Sequence, residues 1–74
     1  MEHLKNKIGI GLRKLRLSQE GKISQEEIAD YSGISTRYYC DLENGKKMPS
    51  VMVLLSIAKT YKMTLVELIQ ILDI

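Results

Sequence analysis

The chain has little of what chemistry usually requires. Its one cysteine, Cys40, has no second thiol for an internal disulfide, and Cys40 with the one histidine, His3, cannot assemble a zinc site. No metal or cofactor is expected, and a reducing, cytoplasmic setting is the simplest. No apolar run reaches the ~18 residues of a membrane span, and Met1-Glu2-His3 opens nothing like a secretory signal. The expectation is a soluble, intracellular protein without membrane contacts. A nucleophile beside a base and a glycine loop for phosphates are also missing, and a core this small leaves no deep pocket, which argues against an enzyme. Alternating strand patterns bounded by hairpin turns are absent as well. Even charge is sparse in sum: eleven basic against nine acidic side chains leave +2, in itself a weak argument for an anionic partner.

What is present suffices for one domain. At 74 residues, 45% apolar and 27% charged, the chain can bury one modest core and is not composed like a disordered segment. Residues 1–74 read as a single domain without linker or repeat. The basic residues are unevenly placed. Lys5, Lys7, Arg13, Lys14, Arg16 and Lys22 crowd the first third, and Arg37, Lys46 and Lys47 follow.

The stretch from Ser24 to Gly45 is the most informative. Ser24 and Glu27 have capping-box spacing, so a helix starts at Gln25 with Ile28 and Ala29 inward. Gly33 supplies a position that accepts positive φ. Ser35 caps a second helix, which turns Tyr39 and Leu42 inward and stops at Asn44-Gly45. Helix, glycine turn, helix is the unit by which a small protein presents a helix to a DNA groove. Around it, Leu4, Ile8, Leu12 and Leu15 predict a first helix over about Leu4–Gln19. A fourth runs from the Ser50 cap to about Tyr61, and a fifth from the Thr64–Glu67 capping box towards Leu72. Gly9 and Gly11 each cost the first helix roughly 1 kcal/mol, which close approach of another helix would explain, with fraying as the alternative. The reading is all-α, five short helices.

On a wheel at ~100° per residue, Tyr39 and Leu42 define the buried side of the Ser35–Asn44 helix. The outward set is Thr36, Arg37, Cys40, Asp41 and Asn44. Arginine pairs bidentately with guanine, a threonine methyl packs on a thymine methyl, and aspartate accepts from cytosine N4. Arg37 lies four residues before Asp41 and can pair with it when DNA is absent. Surface helices are polar outside by default, so this face alone does not separate a reader from a solvated surface. Its surroundings favour a reader. Gln25 opens the preceding helix, where its amide and the free backbone N–H groups can hold a phosphate. Asn44, Lys46 and Lys47 lie past the other end, placed for the opposite phosphates. For Cys40, a small filler side chain is a simpler account than a redox sensor.

Residues from about Ile8 to Leu68, more than four fifths of the chain, resemble the lambda-repressor-like, Cro-type helix-turn-helix domain of bacterial and phage regulators. The strings that carry the resemblance are Leu12-Arg13-Lys14-Leu15-Arg16, Ser24-Gln25-Glu26-Glu27-Ile28-Ala29, Gly33-Ile34-Ser35, Leu42-Glu43-Asn44-Gly45, Pro49-Ser50 and Leu54-Leu55-Ser56-Ile57-Ala58. The resemblance implies binding of double-stranded DNA as a two-fold dimer, with base contacts from Ser35, Thr36, Arg37 and Asp41 and phosphate contacts from Gln25 and Asn44. It also implies that Arg16 and Glu43 pair as a structural tie, and the wheel agrees by turning Glu43 off the groove face. Two features depart from the pattern. The Leu17–Lys22 loop is about two residues longer than usual, and Tyr38-Tyr39 is bulky, which can either alter helix packing or place the Tyr38 hydroxyl on a phosphate.

The last helix, about 64–73, has more apolar residues than a core needs. Leu65, Leu68 and Leu72 suffice for one buried face, which leaves Val66, Ile69 and Ile71 as surplus. A second copy of the same helix is the economical cover, giving a homodimer. The function expected is a sequence-specific, repressor-like transcriptional regulator on a two-fold operator. The competing expectation is an antitoxin-type or other protein-interaction module, which would bind a different chain through that helix.

Overall fold

A hydroxyl side chain sets four of the five helix starts in the computed structural model, which describes residues 2–74. The elements are α1 (Glu2–Ser18), α2 (Gln25–Ser32), α3 (Thr36–Glu43), α4 (Val51–Thr60) and α5 (Leu65–Leu72), an all-α arrangement as the periodicity predicts. Ser24 Oγ accepts the Glu27 N–H at 3.0 Å, and the Ser24 N–H donates to the Glu27 carboxylate at 3.0 Å. Thr64 and Glu67 repeat the box at α5. Ser35 and Ser50 take the N–H groups of Tyr38 and Val53. Each such cap is worth about 1 kcal/mol.

Three boundaries differ slightly from expectation, the first being the start of α1, at Glu2 and not Leu4. α1 ends at Ser18, not Gln19, because Ser18 Oγ and the Gln19 amide both donate to the Leu15 carbonyl and replace a further turn. α4 stops at Thr60 and leaves Tyr61 as its cap. Between α2 and α3, Gly33 sits at φ 75°, and the Ile34 N–H returns to the Ala29 carbonyl at 3.0 Å. That left-handed residue lets the chain reverse within three residues and bring Ser35 to the start of α3.

The core joins Ile8, Leu12 and Leu15 of α1 to Ile28 and Ala29 of α2, Tyr39 and Leu42 of α3, Leu54, Ile57 and Ala58 of α4, and Leu68 and Leu72 of α5. α1 packs on α3 and α5, α2 on α3 and α4, and α4 on α5. Leu4 and Leu65, expected inward, border this core half-buried, as do Tyr61 and Met63. The two α1 glycines mark its closest crossings. A Cβ on Gly9 would lie 2.5 and 2.6 Å from the carbonyl oxygens of Glu43 and Leu42, and one on Gly11 would lie 2.6 Å from Leu72 Cδ2. The residues that weaken α1 as a helix let α3 and α5 approach its backbone.

Candidate nucleic-acid interface

The carboxylate of Glu43, at the last turn of α3, receives donors from two other helices. Arg16 of α1 donates from Nε to Oε2 at 2.7 Å and from its second terminal nitrogen to Oε1 at 3.2 Å. Gln25 of α2 donates from Nε2 to Oε1 at 3.0 Å. The remaining Arg16 nitrogen reaches the Ile23 carbonyl at 3.1 Å. The Glu43 side chain is wholly buried. Burial pushes its carboxyl up, but hydrogen bonds from Arg16 and Gln25 and the Arg16 charge outweigh it, so the group is held below its ordinary value. The forked, charge-assisted Arg16 pair ties α3 to α1, and the Gln25 amide ties it to α2.

The Tyr39 hydroxyl lies near enough to feel the Glu43 charge yet makes no hydrogen bond of good geometry, and burial lifts it far above the ordinary phenol range. The buried Tyr61 hydroxyl is likewise unpartnered and pushed up to about 12, first by burial and then by the same carboxylate.

The opposite side of α3 is open. The Arg37 side chain is 88% exposed in the first turn, with Ser35, Thr36 and Asn44 also exposed. Ser35 Oγ accepts one N–H as the α3 cap, which leaves its hydroxyl hydrogen and one lone pair for outward contacts. Lys46 and Lys47 follow on the surface, and Lys47 Nζ stands 5.7 Å from the centroid of the half-buried Tyr38 ring.

Three expected placements are corrected. Asp41 does not project outward. It is 8% exposed, because the Lys46 N–H folds back to the Asp41 carbonyl at 2.9 Å and brings Lys47 over the carboxylate. A wheel of α3 alone does not contain that loop. Cys40 is half-buried and turns to α2, its thiol donating to Gln25 Oε1 at 3.2 Å. The Gln25 amide is therefore held at both ends inside the protein and is not free as expected. Each end still has hydrogen-bonding capacity, since a side-chain amide carries two N–H groups. On α5, Val66 and Ile71 are 63% and 49% exposed, but Ile69 is half-buried.

The Helix-turn-helix family model, HTH_3, matches residues 12–68, the span that contains every element just described from Leu12 to Leu68. The chain belongs to this lambda-repressor-like, Cro-type helix-turn-helix family. It is 35% identical over 60 residues to an uncharacterized HTH-type transcriptional regulator, y4dJ, of Sinorhizobium fredii, covering 81% of this chain and 78% of that one. It is 41% identical over 59 residues to the HTH-type transcriptional regulator DdrOP3 of Deinococcus deserti, covering 80% of this chain and 44% of the relative. The crystal structure of the clp gene regulator ClgR from Corynebacterium glutamicum shares the fold at a TM-score of 0.82 and 24% identity, over 95% of this chain and 72% of that one.

Within this helix-turn-helix domain, several ties had no sequence signal. The Ile23 carbonyl that accepts from Arg16 and the Gln25–Glu43 bond, 18 residues apart, depend on how the helices cross. Asn6 against Gly45, which sits at φ 73°, is equally a product of packing. Among the described residues no helix is long and apolar enough to cross a membrane.

Proposed function

We propose that this helix-turn-helix protein is a sequence-specific transcriptional regulator that acts as a repressor by occupying a two-fold operator as a homodimer. The observation that carries the reading is the contrast across α3. One side is fixed to α1 and α2 through Glu43, and the other presents an arginine fork that is 88% exposed. Arg37 and Thr36 are the base readers, with Ser35 contributing its one remaining donor. Tyr38, Asn44, Lys46 and Lys47 hold phosphates at one end. The α2 N-terminus and the second N–H of Gln25 hold them at the other. The exposed Val66 and Ile71, with Ile69 at their margin, support pairing of α5 with a second copy.

Selection of duplexes from a random-sequence pool at stated salt tests this. Two related half-sites are expected. Arg37→Ala should cost about 1–3 kcal/mol on the best duplex and relax one position per half-site. A pool that yields no enriched sequence overturns the reading. Light scattering that finds a monomer favours the same α5 face as a site for a different protein.

A further inference from the structure

Asp41 is an anion set into a surface that must meet phosphates, and the fold spends two cations on it. Its side chain is 11% exposed, Lys47 Nζ stands 3.6 Å from Oδ2, and Arg37 Nε stands 3.8 Å from Oδ1. Each carboxylate oxygen thus has its own cation. Lys47 is held there by the loop that returns to the Asp41 carbonyl. The Arg37 contact is made by Nε, on the stem edge of the guanidinium, while the side chain as a whole remains 88% exposed. At that distance the pair is a charge attraction rather than a hydrogen bond, so it biases the Arg37 side chain towards Asp41 and leaves its terminal nitrogens without a partner among the described residues.

We propose that Asp41 is a positioning residue for base reading: by charge attraction it biases the exposed Arg37 side chain towards the arrangement in which its fork meets a guanine edge, and it touches no base itself. The inference rests on Arg37 being the base reader. Lys47 gives the device its balance, because it offsets the Asp41 charge and lessens repulsion of the nearby backbone. The charge distribution predicts opposite effects on affinity and on selectivity. A carboxylate that merely repels DNA would, when neutralised, strengthen binding to all sequences alike. One that merely supports the fold would, when removed, weaken all alike. A carboxylate that aims Arg37 gives neither pattern, because its loss falls on guanine discrimination alone while general affinity rises.

The test uses the full chain and three probes: the duplex selected by wild-type protein, the same duplex with the guanine that Arg37→Ala ceases to read replaced, and a scrambled duplex. Asp41→Asn keeps the shape and removes the charge. It should bind the scrambled duplex roughly twofold tighter or more while its preference for the guanine falls roughly two- to fivefold. In an Arg37→Ala background the same change should leave that preference unaltered. If Asp41→Asn does not fold, Asp41→Ser is judged by the same ratio. Full guanine preference in the Asp41 variants, with loss in Arg37→Ala, overturns the inference and leaves the Arg37 reading standing. Uniform weakening on all three probes with a lowered melting temperature assigns Asp41 a structural role and also overturns it. An Arg37→Ala protein that keeps the preference defeats both.

Discussion

Arg16→Ala should unbalance the molecule through Glu43, and the size of the effect can be worked from the contacts. The Arg16 side chain is 11% exposed and that of Glu43 is fully buried, so water cannot take over the lost bonds without opening α1 from α3. Truncation leaves the carboxylate with the Gln25 amide alone. Removing one partner of a well-buried pair costs about 3–5 kcal/mol, against a total of roughly 4–11 kcal/mol for a chain of this length. At about 4–8 °C per kcal/mol, the melting temperature should fall by ~12 °C at the least. The sign of the pH dependence is sharper still. In the wild type, Glu43 titrates below its ordinary value, so its stabilisation is present above the unfolded-state pKa and is lost as pH falls through the depressed folded value. In Arg16→Ala, burial remains and the main opposing donor is gone, so the folded pKa rises above the unfolded one. That variant should gain stability as pH falls from about 7 towards 5, where the wild type does not. Urea melts across this range, followed by circular dichroism, read both effects. A wild-type midpoint at neutral pH, or parallel pH curves, would refute the argument.

The α1 glycines should respond unequally. Gly9→Ala drives a methyl into two backbone carbonyls and should cost more than the about 1–3 kcal/mol usual for overpacking. Gly11→Ala meets the flexible end of Leu72 and should cost less, so equal melting temperatures would contradict the crossing geometry. Val66→Glu, on an exposed site of α5, should give a folded monomer with much weaker operator binding; sedimentation equilibrium showing an intact dimer would place the interface elsewhere. Lys46→Ala should weaken specific and scrambled duplexes alike and reduce the salt slope by about one unit. An unchanged slope would remove Lys46 from the phosphate contacts.

The helices were legible because their signals are local. Ser24 with Glu27 and Thr64 with Glu67 write their caps within four residues, and Gly33 marks its own turn. The α1 glycines also announced close helix crossings, since a residue so costly to a helix needs a packing reason. The interface was legible only as far as one helix can be treated alone. Arg37 stands out from α3 as the wheel places it, but Asp41 and Cys40 do not, because a returning loop covers one and α2 meets the other. Gln25 shows the same limit. Its residue type suits a phosphate, yet its amide direction depends on side chains 15 and 18 residues away, and no local pattern records that.

The crossings at Gly9 and Gly11 bear on the geometry of DNA recognition. α1 touches α3 and α5 at points two residues apart, backbone against backbone at Gly9 and backbone against the Leu72 side chain at Gly11. At Gly9 no side chain intervenes and no rotamer can absorb displacement, whereas at Gly11 the Leu72 side chain fills the contact, so α1 is a spacer held more stiffly to α3 than to the proposed dimer helix. In a dimer built on α5, the distance between the two copies of α3 is then set through four crossings in series, two of bare backbone at Gly9 and two through Leu72 at Gly11. Such an assembly has little tolerance for operators whose half-sites are set one base pair nearer or farther apart, and its latitude comes from the Leu72 contacts and from the DNA bending.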